Sequence, residues 1–147
     1  MKNDISATIK GTIHATKSEV WEALTRPELI KQYFFGTNTY TDWKPGSPIK
    51  FKGEYQGKKY EDKGTILEVK PKRLKKYTYW SSMSGIEDKP ENYVIVSYEI
   101  SGNDDDVVLT IKQENIPDEK MKDHSEENWK KVLNGLKDLL EEHKAFA

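Results

Sequence analysis

The sequence predicts an α+β fold, a curved antiparallel sheet of about six to seven strands wrapped around a long C-terminal helix, with two short helices after strand one. Three observations carry this. Apolar residues alternate at a period of two in successive stretches between Ile5 and Gln113. The later stretches are joined by connections too short for a helical crossover, so they run as antiparallel meanders. From Trp129 onward the apolar spacing turns helical.

The first strand runs from Ile5 to Ile13, with Ile5, Ala7, Ile9 and Ile13 on one face and His14 just beyond on the other. Thr16-Lys17-Ser18-Glu19 is a capping box, and Val20, Trp21 and Leu24 stripe the short helix that follows it. Thr25-Arg26-Pro27-Glu28 repeats the device. Pro27 sits where a missing amide costs nothing, and Leu29, Ile30, Tyr33 and Phe34 stripe the second helix.

After Gly36 the chemistry is that of strands. Trp43 to Pro48 is a turn, Ile49, Phe51, Gly53 and Tyr55 alternate, and Gln56-Gly57-Lys58 turns the chain back. The return strand spans about Tyr60 to Val69, and Lys70-Pro71-Lys72 leads into a strand ending near Trp80. Leu74 is out of phase with Tyr77 and Tyr79, which predicts a bulge or a late start. Ser81 to Asn92, with Gly85 and Pro90, is a long loop. Val94, Val96, Tyr98 and Ile100 form the next strand, Ser101 to Asp106 a polar turn, and Val107, Leu109, Ile111 and Gln113 the strand returning from it.

Two start signals compete for the last helix, Asp118 after Pro117 and Ser125 before Glu126 and Glu127. Trp129, Val132, Leu133, Leu136, Leu139, Leu140 and His143 mark one face. From Ser125 to Lys144 the helix is roughly 30 Å long, enough to cross the sheet and cover its apolar side. A cavity can open where the two short helices hold the long one off the sheet.

Composition excludes several chemistries. A chain of 147 residues is read as one domain over 1–147 that buries about 70% of its unfolded surface. The absence of cysteine rules out disulfides, thiolate metal sites and a cysteine nucleophile. A net charge of -1 argues against a nucleic-acid or anionic-membrane partner. No apolar run approaches the roughly 20 residues of a membrane span, and Met1-Lys2-Asn3-Asp4 leads into the first strand without a signal-peptide core, so a cytoplasmic location is expected. Eight Tyr and four Trp against four Phe mean that much aromatic surface carries a polar atom needing a partner.

Four stretches in order carry a family resemblance: Val20 to Thr25 running into Pro27-Glu28-Leu29, the turn and strand from Trp43 to Phe51, Gly64 to Val69 before Pro71, and Asn128 to Lys137. Together they resemble the START and birch-pollen-allergen superfamily, also called SRPBCC. Within it they resemble the branch named after the C-terminal domain of the activator of heat-shock protein 90 ATPase, and the resemblance covers essentially the whole chain. It implies a helix-grip fold that encloses an apolar or amphipathic small molecule, or one that docks on a chaperone and serves the stress response. Relatives of the fold include cyclases and hydrolases, so an enzyme acting on a polyketide-like or aromatic compound is a third implied reading.

No constellation in the sequence marks catalysis. The three histidines are scattered: His14 and His143 read as structural or solvated, whereas His124 stands where the long helix begins and faces a possible cavity mouth. No spacing of ligands suits a metal, and no glycine-rich loop cradles a phosphate, so no cofactor is expected. Asp104-Asp105-Asp106 reads as a solvated hairpin turn.

The pocket candidates are Tyr33, Phe34, Phe51, Tyr55, Tyr77, Tyr79, Tyr98, Met121, His124, Trp129 and Leu133, which converge on one interior if the strand phases hold; the alternative is that they simply fill the core. The partner-surface candidates are Lys70, Lys72, Arg73, Lys75 and Lys76, whose alternative reading is a charged edge that discourages aggregation. The expected function is non-enzymatic binding of a small hydrophobic or amphipathic molecule between the sheet and the C-terminal helix. The alternative is a co-chaperone-type interaction module using the basic hairpin and the loop from Ser81 to Asn92.

Overall fold

A computed structural model describes residues 3–145, with side chains described from residue 3 to residue 141. Strand β1 spans Ile5–Ile13, followed by helices α1 (Lys17–Thr25) and α2 (Pro27–Tyr33). Strands β2 (Asn38–Tyr40), β3 (Pro48–Tyr55), β4 (Lys58–Lys70), β5 (Leu74–Tyr79), β6 (Val94–Gly102) and β7 (Val107–Ile116) come next, and helix α3 (Glu119–Ala145) is the last described element. The strands form one antiparallel sheet in the order β1-β7-β6-β5-β4-β3-β2. Helix α3 crosses β1 and β7 and rests against α2, so the sheet grips it as the resemblance implies.

Local chemistry explains several boundaries. The Thr16 hydroxyl accepts from the Glu19 amide at 3.1 Å while the Glu19 carboxylate accepts from the Thr16 amide at 2.9 Å, the capping box read from the sequence. The second box does not form. Thr25 is the last residue of α1, its hydroxyl donates back to the Trp21 carbonyl, and Arg26 precedes α2 with no side-chain cap, leaving Pro27 to start that helix. Gln56 and Gly57 both have positive φ, the two-residue turn that suits the twist of β3 and β4.

The start of α3 is decided in favour of Asp118, whose carboxylate accepts from the Met121 amide at 2.8 Å. Twenty-seven residues give a helix about 40 Å long, longer than the Ser125 start allows. Its buried face is Trp129, Val132, Leu133, Leu136 and Leu140. The side chain of His143 lies outside the described residues.

Two bulges bend the sheet. The phase break predicted at Leu74 lies instead on the neighbouring strand: β5 is regular, and Leu67 of β4 is the extra residue between the Ile66–Tyr77 and Glu68–Lys76 pairs. Leu74 therefore faces outward by the simple alternation of β5, and Lys75, Tyr77 and Tyr79 face inward. The second bulge is at Asn115 of β7, in the left-handed region at φ 68°. Its buried amide donates to the carbonyls of Glu91 and Tyr93 at 3.0 and 2.8 Å, tying down the end of the loop from Ser81 to Asn92, and its carbonyl accepts from the Asn3 amide. Gly64 marks a close approach of β4 to β5, since a Cβ there would lie 1.6 Å from the Thr78 carbonyl oxygen.

Candidate functional site

A cavity of about 870 Å³ opens between the inner face of the sheet, the loop after β5 and the first half of α3. Phe34 and Phe35, where α2 ends, close one side. The β3–β4 hairpin contributes Tyr55, Tyr60 and Asp62, and β5 contributes Tyr77 and Tyr79 with Trp80 just beyond. The floor is Val94 and Val96 of β6 with Gln113 and Ile116 of β7, while Met121, His124, Asn128, Trp129 and Val132 of α3 form the facing wall. Met83 and Ile86 from the loop stand at the rim. These residues meet because the alternation of β4 to β7 places every second side chain on the concave face.

Polar atoms gather on the β4–β5 side. The Tyr79 hydroxyl donates to Asp62 Oδ2 at 2.5 Å, and the Ser82 amide donates to Asp62 Oδ1 at 3.0 Å. Tyr60 and Thr37 share a hydrogen bond between their hydroxyls. On the opposite wall the Trp129 indole N–H donates to the Gln113 side-chain carbonyl at 2.7 Å, which fixes the ring's tilt against the cavity. Burial and the neighbouring Asp62 carboxylate raise the Tyr79 hydroxyl well above the usual tyrosine range, and burial does the same to Tyr77. Both rings therefore present neutral hydroxyls.

Of the pocket candidates, Phe34, Tyr55, Tyr77, Tyr79, Met121, His124 and Trp129 line the cavity, His124 on an exposed stretch of α3 and Tyr55 at the mouth with 59% of its surface exposed. The other four lie elsewhere. Phe51 is behind the wall, stacked on Phe34 at 6.0 Å between ring centres and packed against Tyr77 and Tyr79. Tyr98 is one layer deeper and shares a hydroxyl hydrogen bond with Tyr77 at 3.1 Å. Tyr33 is sealed between helices, its hydroxyl donating to the Ala23 carbonyl. Leu133 packs over Gly11 of β1, where the missing Cβ makes room for its methyl group.

The basic run divides in the same way. Lys70, Lys72 and Arg73 are exposed and Lys76 is half-buried, but Lys75 points inward and is 4% exposed, which corrects its assignment to the surface. Its ammonium donates to the Leu24 carbonyl at 2.6 Å and lies 4.2 Å from the ring centre of Tyr98 and 4.7 Å from that of Trp43. Burial pushes its pKa down to about 7. The physical reason is the two-residue period: with Tyr77 and Tyr79 facing in, Lys75 must follow them.

His14 is exposed and lies 2.6 Å from Asp106, and Asp104 accepts from the Lys17 amide, so the acidic turn is anchored on the first turn of α1. Among the described residues no group of three His, Asp or Glu side chains is arranged to hold a metal, and no helix is long and apolar enough to cross a membrane. Sequence reasoning passed over Asp62, Tyr60, Trp80 and Gln113. The signal for Asp62 was present in the alternation of Tyr60, Asp62 and Ile66, which sets a carboxylate on a buried face.

Residues 14–141 match the family model described as activator of Hsp90 ATPase homolog 1-like protein. The chain belongs to this family. The solution structure of ChR145 from Cytophaga hutchinsonii is similar over 100% of both chains, at 44% identity and a TM-score of 0.84. The Aha1 dimer from Colwellia psychrerythraea, at 16% identity and a TM-score of 0.72, covers 92% of this chain and 96% of its own. DynU16, a protein in the dynemicin biosynthetic locus, matches at 17% identity and a TM-score of 0.78 over 95% of this chain and 48% of its own. The last two likenesses concern the fold alone. A comparison with curated proteins finds no match.

Proposed function

We propose that this member of the activator of Hsp90 ATPase homolog 1-like family binds a small hydrophobic or amphipathic molecule in the cavity between sheet and α3. The observation that carries the reading is the cavity itself. Its volume of about 870 Å³ falls in the range of small-molecule sites, and its walls combine apolar and aromatic side chains with a few polar atoms gathered on one side.

The four tryptophans supply a test. Trp80 and Trp129 line the cavity, whereas Trp21 and Trp43 do not. Titration with the neutral probe 2-(1-naphthyl)ethanol, followed through the indole N–H resonances, is expected to shift Trp80 and Trp129 saturably and leave Trp21 and Trp43 in place. Equal small drifts of all four would oppose the reading.

The family description and the exposed tip of the basic hairpin support a second reading, docking on a chaperone. Under it, reversing Lys72 and Arg73 to Glu abolishes chaperone capture with the fold intact. Lys75 is unsuited to that test because it is buried.

A further inference from the structure

Asp62 is 6% exposed and forms part of the cavity wall, in an interior otherwise lined largely by apolar and aromatic groups. Among the described residues its hydrogen-bond donors are all neutral: the Tyr79 hydroxyl, the Ser82 amide, and the Ser82 hydroxyl at 3.4 Å. Among the described residues no Lys, Arg or His lies within ion-pair distance of it. Neighbouring Lys63 turns to the opposite face and pairs with Asp88 at 2.7 Å. The buried cation Lys75 stands four residues before Tyr79 on β5, about 13 Å along the strand, with the rings of Tyr77 and Tyr98 around it. The remaining charged groups of the lining, Glu54, His124 and Lys131, are all exposed.

A carboxylate taken out of water is normally matched by a cation as well as by hydrogen bonds. Neutral donors solvate Asp62 but leave its charge uncompensated. We propose that the missing cation belongs to the ligand: the cavity selects amphiphiles with a protonated amine, whose ammonium donates to Asp62 while the apolar body lies against Phe34, Val94, Val96, Ile116 and Trp129. This rests on the reading of the cavity as a binding site. The ammonium contributes both a charge-assisted hydrogen bond and neutralisation in a weakly screening interior, whereas a carboxylate head sets like charge against like.

Three probes with one apolar body separate the possibilities: 2-(1-naphthyl)ethylamine, 2-(1-naphthyl)ethanol and 1-naphthylacetate, titrated calorimetrically near neutral pH. The amine is expected to bind about tenfold or more tightly than the alcohol, with the acid weakest. Asp62→Asn keeps an oxygen to accept from the Ser82 amide and turns its NH2 toward the Tyr79 hydroxyl, which can accept from it, and it is expected to bring the ratio of amine to alcohol affinity down to about one. An amine no tighter than the alcohol, or a preference that survives Asp62→Asn, overturns the inference with the cavity reading intact. Failure of all three probes to bind overturns the cavity reading and this inference together. The wild-type comparison needs no variant, so it stands even if Asp62→Asn does not fold.

Discussion

Lys75 is the residue on which the chemistry of the interior bears most directly. Burial draws its pKa down to about 7, against 10.5 ordinarily, in a site where its nitrogen meets the Leu24 carbonyl and the faces of Tyr98 and Trp43. Between those two values the unfolded chain holds more protons than the folded one, so stability contributed through this group rises with pH. Below about pH 7 both states are protonated, and above about pH 10.5 neither is, so the dependence is confined to that window. Chemical denaturation of the wild type and of Lys75→Met across it is expected to show the wild type gaining on the variant by up to ~1.4 kcal/mol per pH unit. A difference between the two that stays flat with pH would contradict this. The same residue shows what the sequence conceals: five basic residues in seven read as one exposed patch, yet the strand's alternation removes one of them to the core. Asp62 is the converse, a lone acid whose inward phase was visible but whose meaning required its partners Tyr79 and Ser82.

At the scale of elements, capping and alternation made most of the fold legible. The box at Thr16, the proline start of α2, the tight turn at Gln56-Gly57 and the apolar stripe of α3 are all local signals with local causes. What escaped depends on the neighbouring strand. The bulge at Leu67 shows itself only in the pairing of β4 with β5, and nothing in residues 60–69 alone distinguishes it from a phase error in β5. The three-residue strand β2 is too short for a period to declare itself. Asn115 is the element-scale device with the clearest consequence, since its buried amide joins β7 to the loop that rims the cavity. Asn115→Ala leaves two carbonyls unpaired and puts a Cβ residue with no compensating amide in the left-handed region. A loss of about 2–4 kcal/mol is expected by denaturant titration. Hydrogen exchange is expected to quicken first at residues 81–93. A loss below about 1 kcal/mol, or faster exchange spread evenly over the sheet, would oppose this role for Asn115.

Across the whole molecule, one long helix held over a strongly bent sheet leaves space that the side chains do not fill. The helix is kept at its distance by α2, whose Tyr33 packs under Gly135 of α3, and by Phe34, whose ring meets Trp129 edge to face. The sequence announced the layers and the aromatic supply, and seven of the eleven pocket candidates line the cavity. The division between lining and filler depended on how deep each side chain sits, which periodicity does not report: Tyr77 and Tyr98 share a face and a hydrogen bond, but only the first reaches the cavity. The central claim is that this space holds a molecule. Native mass spectrometry of the protein, purified gently from its source organism, tests it most directly when the intact mass is compared with that of the denatured chain. The account predicts a stoichiometric excess of mass that disappears on denaturation. A bare chain mass, together with no uptake of a hydrophobic probe afterwards, would contradict it.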